Sequence, residues 1–159
     1  MKPITEQEAL SRLSLLCSQA EHCTGEMLEK MRRWQLDDAA QARIMQRLTE
    51  GRYIDDERYA RAFVRDKVRF GKWGRRKIEQ ALWQKRIADD IREQVLNEVS
   101  DDEYLCVLRP LIAQKRRTTR AASDYELNAK LIRFAAGRGF TMDIIRQCLN
   151  VNDEDEFLE

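Results

Sequence analysis

The chain has 159 residues, of which 36% are charged, with two prolines, six glycines and a formal net charge of +1. Few turn-forming residues and many good helix formers (Ala, Leu, Gln, Arg) argue for an all-α protein rather than one built on hairpins. No apolar run approaches the roughly 18 residues that span a bilayer, and the acidic N-terminus is unlike a secretory signal, so a cytoplasmic location follows by elimination.

Along the chain, helices are expected at roughly 5–20, 24–34 and 37–50. Thr24 is the expected cap of the second and Asp37 of the third, with Gly51 ending it. Asp55 caps a further helix, whose stripe is Tyr59, Ala60, Phe63, Val64 and Val68. Gly71-Lys72-Trp73-Gly74 breaks it, and helices follow at about 75–85 and 88–99. Another begins near Asp102 on Tyr104, Leu105, Leu108, Leu111 and Ile112; Pro110 lies inside that stripe, so it either kinks or restarts there. The last two helices span about 124–136 and 142–150, with Gly137 and Gly139 bracketing their turn and Thr141 as a cap.

These elements repeat. Met27, Met31, Leu36, Ala40, Ile44 and Leu48 recur as Ile78, Leu82, Ile87, Ile91, Val95 and Val99. They recur again as Leu131, Ala135, Phe140, Ile144 and Cys148, at offsets of 51 and then 53 residues. Each copy contains one step of five, which breaks the 3.6-residue rhythm and marks a tight turn between two helices. The expected architecture is three tandem three-helix repeats, 1–52, 53–100 and 101–150, in an elongated and curved row. A mobile acidic tail, 151–159, then follows, which could shield basic charge elsewhere.

Nothing in the pattern points to catalysis. There is one histidine, and no phosphate cradle, nucleophile elbow or His-Glu-x-x-His motif. Cys17, Cys23, Cys106 and Cys148 lack zinc-type spacing; Cys106 and Cys148 are expected as buried free thiols. His22 beside Cys23 is too little for a metal site, and Asp55-Asp56 and Asp89-Asp90 are explained by helix starts. No catalytic residue, metal or cofactor is expected.

Charge is more informative. Between Gly51 and Ile87 stand twelve Lys or Arg against five acids. Arg58, Arg61, Arg65 and Arg69 step along one helical face, which is either a solvated surface or a contact for an external anion. Lys72, Arg75, Arg76 and Lys77 follow at a helix start, where cations oppose the macrodipole, so local stability does not explain them. Arg116, Arg117 and Arg120 form a second cluster. Trp73 is either a packing anchor or a surface contact.

The segment Tyr53-Ile54-Asp55-Asp56-Glu57-Arg58-Tyr59-Ala60-Arg61-Ala62-Phe63-Val64 resembles the signature of the RecX family, bacterial regulators of the RecA recombinase. So does Arg69-Phe70-Gly71-Lys72-Trp73-Gly74-Arg75-Arg76-Lys77-Ile78, while Lys130–Phe134 and Arg138-Gly139-Phe140 are similar to the family's last repeat. Gln35 and Arg86 depart from it, standing where the family usually shows glycine. The resemblance implies three three-helix repeats and a non-enzymatic regulator, an inhibitor above all, lying in the groove of the RecA–single-stranded DNA filament. It also implies sequence-independent, salt-sensitive DNA binding, with Arg65, Arg69, Lys72, Arg75, Arg76 and Lys77 at the family's basic positions; a monomer is expected. Arg61, Arg116, Arg117 and Arg120 join these as candidate contacts. A sequence-reading repressor and a protein-only scaffold are the alternatives; the acidic helix starts Asp37-Asp38 and Asp89-Asp90 suit a major groove poorly.

Overall fold

The computed structural model of the protein describes residues 3–149. The acidic tail expected at 151–159 lies outside the described residues. Nine helices are found among them: α1 (Glu6–Gln19), α2 (Thr24–Arg33), α3 (Asp38–Glu50), α4 (Asp56–Arg69), α5 (Arg75–Gln84), α6 (Asp89–Asn97), α7 (Asp101–Thr118), α8 (Asp124–Gly137) and α9 (Met142–Leu149). No helix among the described residues is long and apolar enough to cross a membrane.

The steps of five have a common cause. Leu36 N–H donates to Met31 O and Gln35 N–H to Arg32 O; Ile87 and Arg86 do the same to Leu82 and Trp83, and Phe140 and Gly139 to Ala135 and Ala136. Each pair of bonds is a Schellman motif, which takes up carbonyls left over at a helix end and needs one left-handed residue. Those residues are Gln35 (φ 62°), Arg86 (φ 62°) and Gly139 (φ 94°), at the repeat's own offsets. The step from Met31 to Leu36, Leu82 to Ile87 and Ala135 to Phe140 thus spans the two ends of the 6→1 bond.

Some caps differ from expectation. Cys23, not Thr24, is the N-cap of α2; Glu26 reaches back to the Cys23 N–H at 3.1 Å. The Thr24 N–H is taken by Asp56 Oδ1 at 2.8 Å. Asp37, Asp55 and Thr141 cap as expected. Gly51 ends α3 at an ordinary φ of −78°, and the left-handed residue is Arg52 (φ 58°). A Cβ on Gly51 would stand 3.0 Å from the exposed Tyr53 ring, which would have to shift by a few tenths of an ångström to admit a side chain. Helix α7 is capped by a Ser100–Glu103 box and runs unbroken through Pro110. Pro110 and Cys106 lie on its exposed face, so the Cys106 carbonyl that the proline leaves unbonded is within reach of water. The expectation of a buried Cys106 is therefore wrong: Tyr104, Leu105, Leu108 and Ile112 set the buried face, and Cys106 points away from it. Cys148 is half-buried, and both are free thiols.

The described chain forms two compact units. The first comprises residues up to Phe63 with Leu82–Glu93. Its centre is Ala9, Leu13, Met27, Met31, Ile44, Leu48 and Ile54, with Trp34 and Leu36 half-buried against it. α1 and α2 both pack on α3. The second unit comprises Val64–Ala81 and residues from Gln94 on. There α7, α8 and α9 pack on one another around Leu108, Leu131, Ala135 and Ile145, and Tyr104 meets Phe140 edge to face at 6.4 Å.

Inside each unit the start of one helix is seated on a turn from the next repeat. In the first, Gly25 lies so close to the turn after α5 that a Cβ would stand 2.2 Å from Lys85 O. Lys85 Nζ reaches Glu26 Oε2 at 3.4 Å and Cys23 Sγ lies 3.8 Å from Lys85 O. In the second, Gly74 N–H donates to Arg138 O (2.8 Å) and Arg76 N–H to Gly139 O (2.9 Å). A Cβ on Gly74 would stand 2.2 Å from Phe140 N.

Two expectations for stability follow. A left-handed residue other than glycine costs roughly 1–2 kcal/mol, so Gln35→Gly and Arg86→Gly should each stabilise by about 1 kcal/mol once the added chain freedom is subtracted. Gly139→Ala should destabilise by about 3 kcal/mol, through strain and the Lys77 backbone 2.5 Å from the new methyl. Urea midpoints at unchanged m-value check both. Burial pushes the Glu26 carboxyl up, but the Cys23 N–H, Lys85 and His22 outweigh it and hold the group below the usual carboxylate range. A depressed folded value stabilises above the ordinary carboxylate range and is lost as pH falls through it. Glu26→Gln should therefore flatten the acid limb of a stability–pH profile; an unchanged limb would count against the linkage.

Candidate functional site

The basic residues sort by what holds them. In the first unit, Arg58 Nε pairs with Glu21 at 2.8 Å and its Nη2 reaches the carbonyls of Arg52 and Tyr53. Arg61 pairs with Glu57 at 2.9 Å, one turn back on the same helix. Both guanidinium groups are engaged by the fold itself.

In the second unit the situation changes. Arg65 and Arg69 on α4, Lys72 in the following loop and Arg76 on α5 are all exposed, and among the described residues no carboxylate pairs with them. Lys67 and Lys77 lie over the half-buried Trp73 ring, 4.9 and 4.4 Å from its centre, so Trp73 is a packing anchor for two cations rather than a free surface ring. Arg75 is half-buried, with Nη2 on Asn97 Oδ1 at 2.9 Å. It lines a cavity of about 30 Å³ with Tyr104, Phe140 and Ile144. Burial pushes the Tyr104 phenol up to about 12. Arg116 and Arg117 are exposed in the last turn of α7, where cations also complement the helix dipole, and Arg120 is exposed beyond it.

The N-terminus of α5 is not an open anion site. Its Gly74 and Arg76 N–H groups are already bonded to the carbonyls of Arg138 and Gly139. Two of the donors a helix start offers an anion are therefore taken, which leaves the side chains as the main anion-facing groups there. The loop carrying Lys72 is held from below: Arg138 Nη2 donates to Gly71 O at 2.7 Å and Nε to Lys72 O at 3.0 Å. A planar guanidinium spans two consecutive carbonyls that an ammonium cannot. Lys72 itself is left-handed, at φ 55°.

Two residues of this site escaped the sequence reading. Arg138 reaches back 66 residues, and no spacing rule announces such a contact. Phe70 is 79% exposed. Helical spacing does not announce it, because position 70 lies seven residues after Phe63, on the same face of the stripe, and α4 ends at Arg69 just before it.

Elsewhere the chemistry is quiet. An open groove of about 410 Å³ in the first unit brings Lys30, Arg33, Lys85 and Arg86 together with Glu26 and Glu29. The Arg32 hydrogen bond holds Glu29 below the usual carboxylate range, so neither acid is poised to give up a proton near neutrality. His22 Nδ1 lies 3.6 Å from Glu26 Oε1, and burial pushes the Cys23 thiol up to about 11, the opposite of a reactive thiolate.

Comparison with known proteins places this arrangement. Residues 55–96 match the family model for RecX, second three-helix domain, and residues 101–149 that for RecX, third three-helix domain. Regulatory protein RecX of Vibrio parahaemolyticus is 34% identical over 140 residues, covering 88% of each chain. The chain belongs to the RecX family. Regulatory protein RecX of Chlorobium phaeobacteroides is 27% identical over 94% of this chain and 97% of its own. The crystal structure of RecX from Lactobacillus salivarius shares the fold at a TM-score of 0.85, with 21% identity over 93% of this chain and 96% of that one. As a RecX-family member, the chain is a regulatory protein built from three-helix repeats, with Gln35 and Arg86 supplying left-handed turns without glycine.

Charge-assisted hydrogen bonds of the Arg138 kind contribute about 2 kcal/mol. Arg138→Lys should lose most of that in urea unfolding, despite keeping the charge. Equal stability of the Lys and Arg proteins would show that the fork is dispensable.

Proposed function

We propose that this RecX-family chain is a non-enzymatic, cytoplasmic inhibitor of the RecA recombinase, acting as a monomer bound in the groove of the RecA–single-stranded DNA filament. In that role it would restrain recombination, DNA repair and the SOS response. The observation that carries the reading is the set of exposed cations Arg65, Arg69, Lys72 and Arg76, without carboxylate partners among the described residues, with the loop that carries Lys72 held by Arg138. Phosphates and acidic protein surface are the partners such a set suits, without reading bases. Arg116, Arg117 and Arg120 extend the basic surface in this proposal. Arg61, Arg75 and Lys77 are assigned supporting parts, because Glu57, Asn97 and Trp73 already engage them. The repeats are proposed to run 1–52, 53–100 and 101–150.

RecA's single-stranded-DNA-dependent ATP hydrolysis should fall when this protein is titrated in below stoichiometry. Changing Arg65, Arg69, Lys72 and Arg76 together to Ala should weaken that inhibition. The same variant should lower single-stranded DNA affinity and flatten its log–log salt dependence by about 0.7 for each phosphate no longer neutralised. Exposed substitutions of this kind shift stability within about 0.5 kcal/mol each, so a well-folded variant is expected. Full inhibition by the variant would reject the basic face; no inhibition by excess wild-type protein with its cognate recombinase would reject the regulator itself.

A further inference from the structure

Phe70 stands out against the other described phenylalanines. Phe140 is buried, and Phe63 and Phe134 are half-buried. Phe70, at 79% exposure, contributes little to the core and presents an open π face. The residues around it are the exposed cations of the second unit: Arg69 precedes it and Lys72 follows two residues later. Arg65 lies one helical turn before Arg69, at about 6 Å between Cβ atoms. The backbone that carries the ring is fixed at both ends. Phe70 N–H bonds Asp66 O at 2.9 Å, and the next two carbonyls are gripped by Arg138. Trp83, at 64% exposure, and Tyr53, at 43%, belong to the first unit, whereas these cations belong to the second. Tyr125, at 86% exposure, sits between Asp124 and Glu126, which repel phosphate.

We propose that Phe70 is a base-stacking platform for single-stranded nucleic acid, with Arg65, Arg69, Lys72 and Arg76 holding the flanking phosphates. This rests on the basic face being the nucleic-acid contact and adds to it a basis for strand preference. Every base offers a π face, so stacking needs no sequence, but in a duplex those faces are already covered by neighbouring bases. Cations alone bind either form, and more strongly the one with the denser charge. The ring therefore favours single strands where electrostatics by itself would not. A preformed ring on a pinned backbone also loses little freedom on binding, since Phe has only two side-chain torsions.

The test compares oligothymidylate with an abasic strand of equal length. Phe70→Ala should weaken oligothymidylate binding about tenfold or more. It should leave abasic binding within about twofold and the salt slope unchanged, since every phosphate keeps its cation. Phe70→Trp should bind oligothymidylate at least as well as the wild type, and Phe70→Leu, which keeps apolar bulk without a π face, should resemble Phe70→Ala. The preference for single over double strands should narrow in the Ala variant. Equal weakening on both strands, no weakening on either, or an effect seen only on RecA inhibition would overturn the stacking role; the last would make Phe70 a protein contact. If the four-cation variant weakens both strands while Phe70→Ala weakens neither, only the stacking role falls. If the wild-type protein binds neither strand, both the stacking role and the basic face as a nucleic-acid contact fall.

Discussion

The structure depends on one constraint: each second helix must end on a left-handed residue so that its last carbonyls are satisfied while the chain reverses. Without the Schellman bonds at Met31, Leu82 and Ala135, three helix ends would carry unsatisfied carbonyls beside apolar cores. With them, Leu36, Ile87 and Phe140 fold back over the helices they leave. The turn then presents an outward edge of backbone, against which another helix start can close. In the second unit that closure consists of two main-chain hydrogen bonds to Gly74 and Arg76 and a backbone approach that only a glycine at 74 permits. The first unit repeats the approach at Gly25 and Lys85. Residues 53–100 contribute to both compact units: 53–63 and 82–93, which include the turn after α5, belong to the first, and 64–81 and 94–100, which include the start of α5, belong to the second.

The same closure organises the charge. A basic helix start would ordinarily be unfavourable beside the positive end of the macrodipole. Here the carbonyls of Arg138 and Gly139 sit against the first N–H groups of α5, which offsets that end and lets Arg75, Arg76 and Lys77 stand there. Lys77 and Lys67 lie on Trp73, and Arg75 turns to Asn97. From Arg65 to Lys77, what remains outward is Arg65, Arg69, Lys72 and Arg76; Arg52 and Arg86 in the first unit and Arg116, Arg117 and Arg120 after them are exposed as well. Fixed cations beside an exposed ring make a surface suited to a flexible polyanion with bases, which is why the single-stranded reading is preferred to a purely protein partner.

Much of the fold is legible in the sequence because helices announce themselves locally. Caps at Asp37, Asp55 and Thr141, the glycine at the end of α3 and the apolar stripes depend on residues within four positions of one another. The misses share a different cause. Thr24 yields the cap role to Cys23 because Asp56, from another helix, takes its N–H. Apolar character alone would put Cys106 inside, yet its angle around α7 puts it on the outer face. Spacing alone makes Arg58 and Arg61 part of an open arginine face, whereas Glu21 and Glu57 engage them.

By itself, then, the amino-acid sequence determined the all-α class and the three-fold recurrence of a helix–turn–helix unit, because periodicity, capping and the step of five are short-range consequences of helix geometry; the family was carried separately, by the resemblance of the segments 53–64 and 69–78 to its signature. The sequence also located the most basic stretch. Only the tertiary structure decided which of those cations are engaged internally, that Arg138 holds the loop of Phe70 and Lys72, and that the α5 start is closed by backbone carbonyls. The last two outcomes depend on residues more than 60 positions apart meeting at 2.7–3.0 Å, and a contact of that kind leaves no periodic trace along the chain.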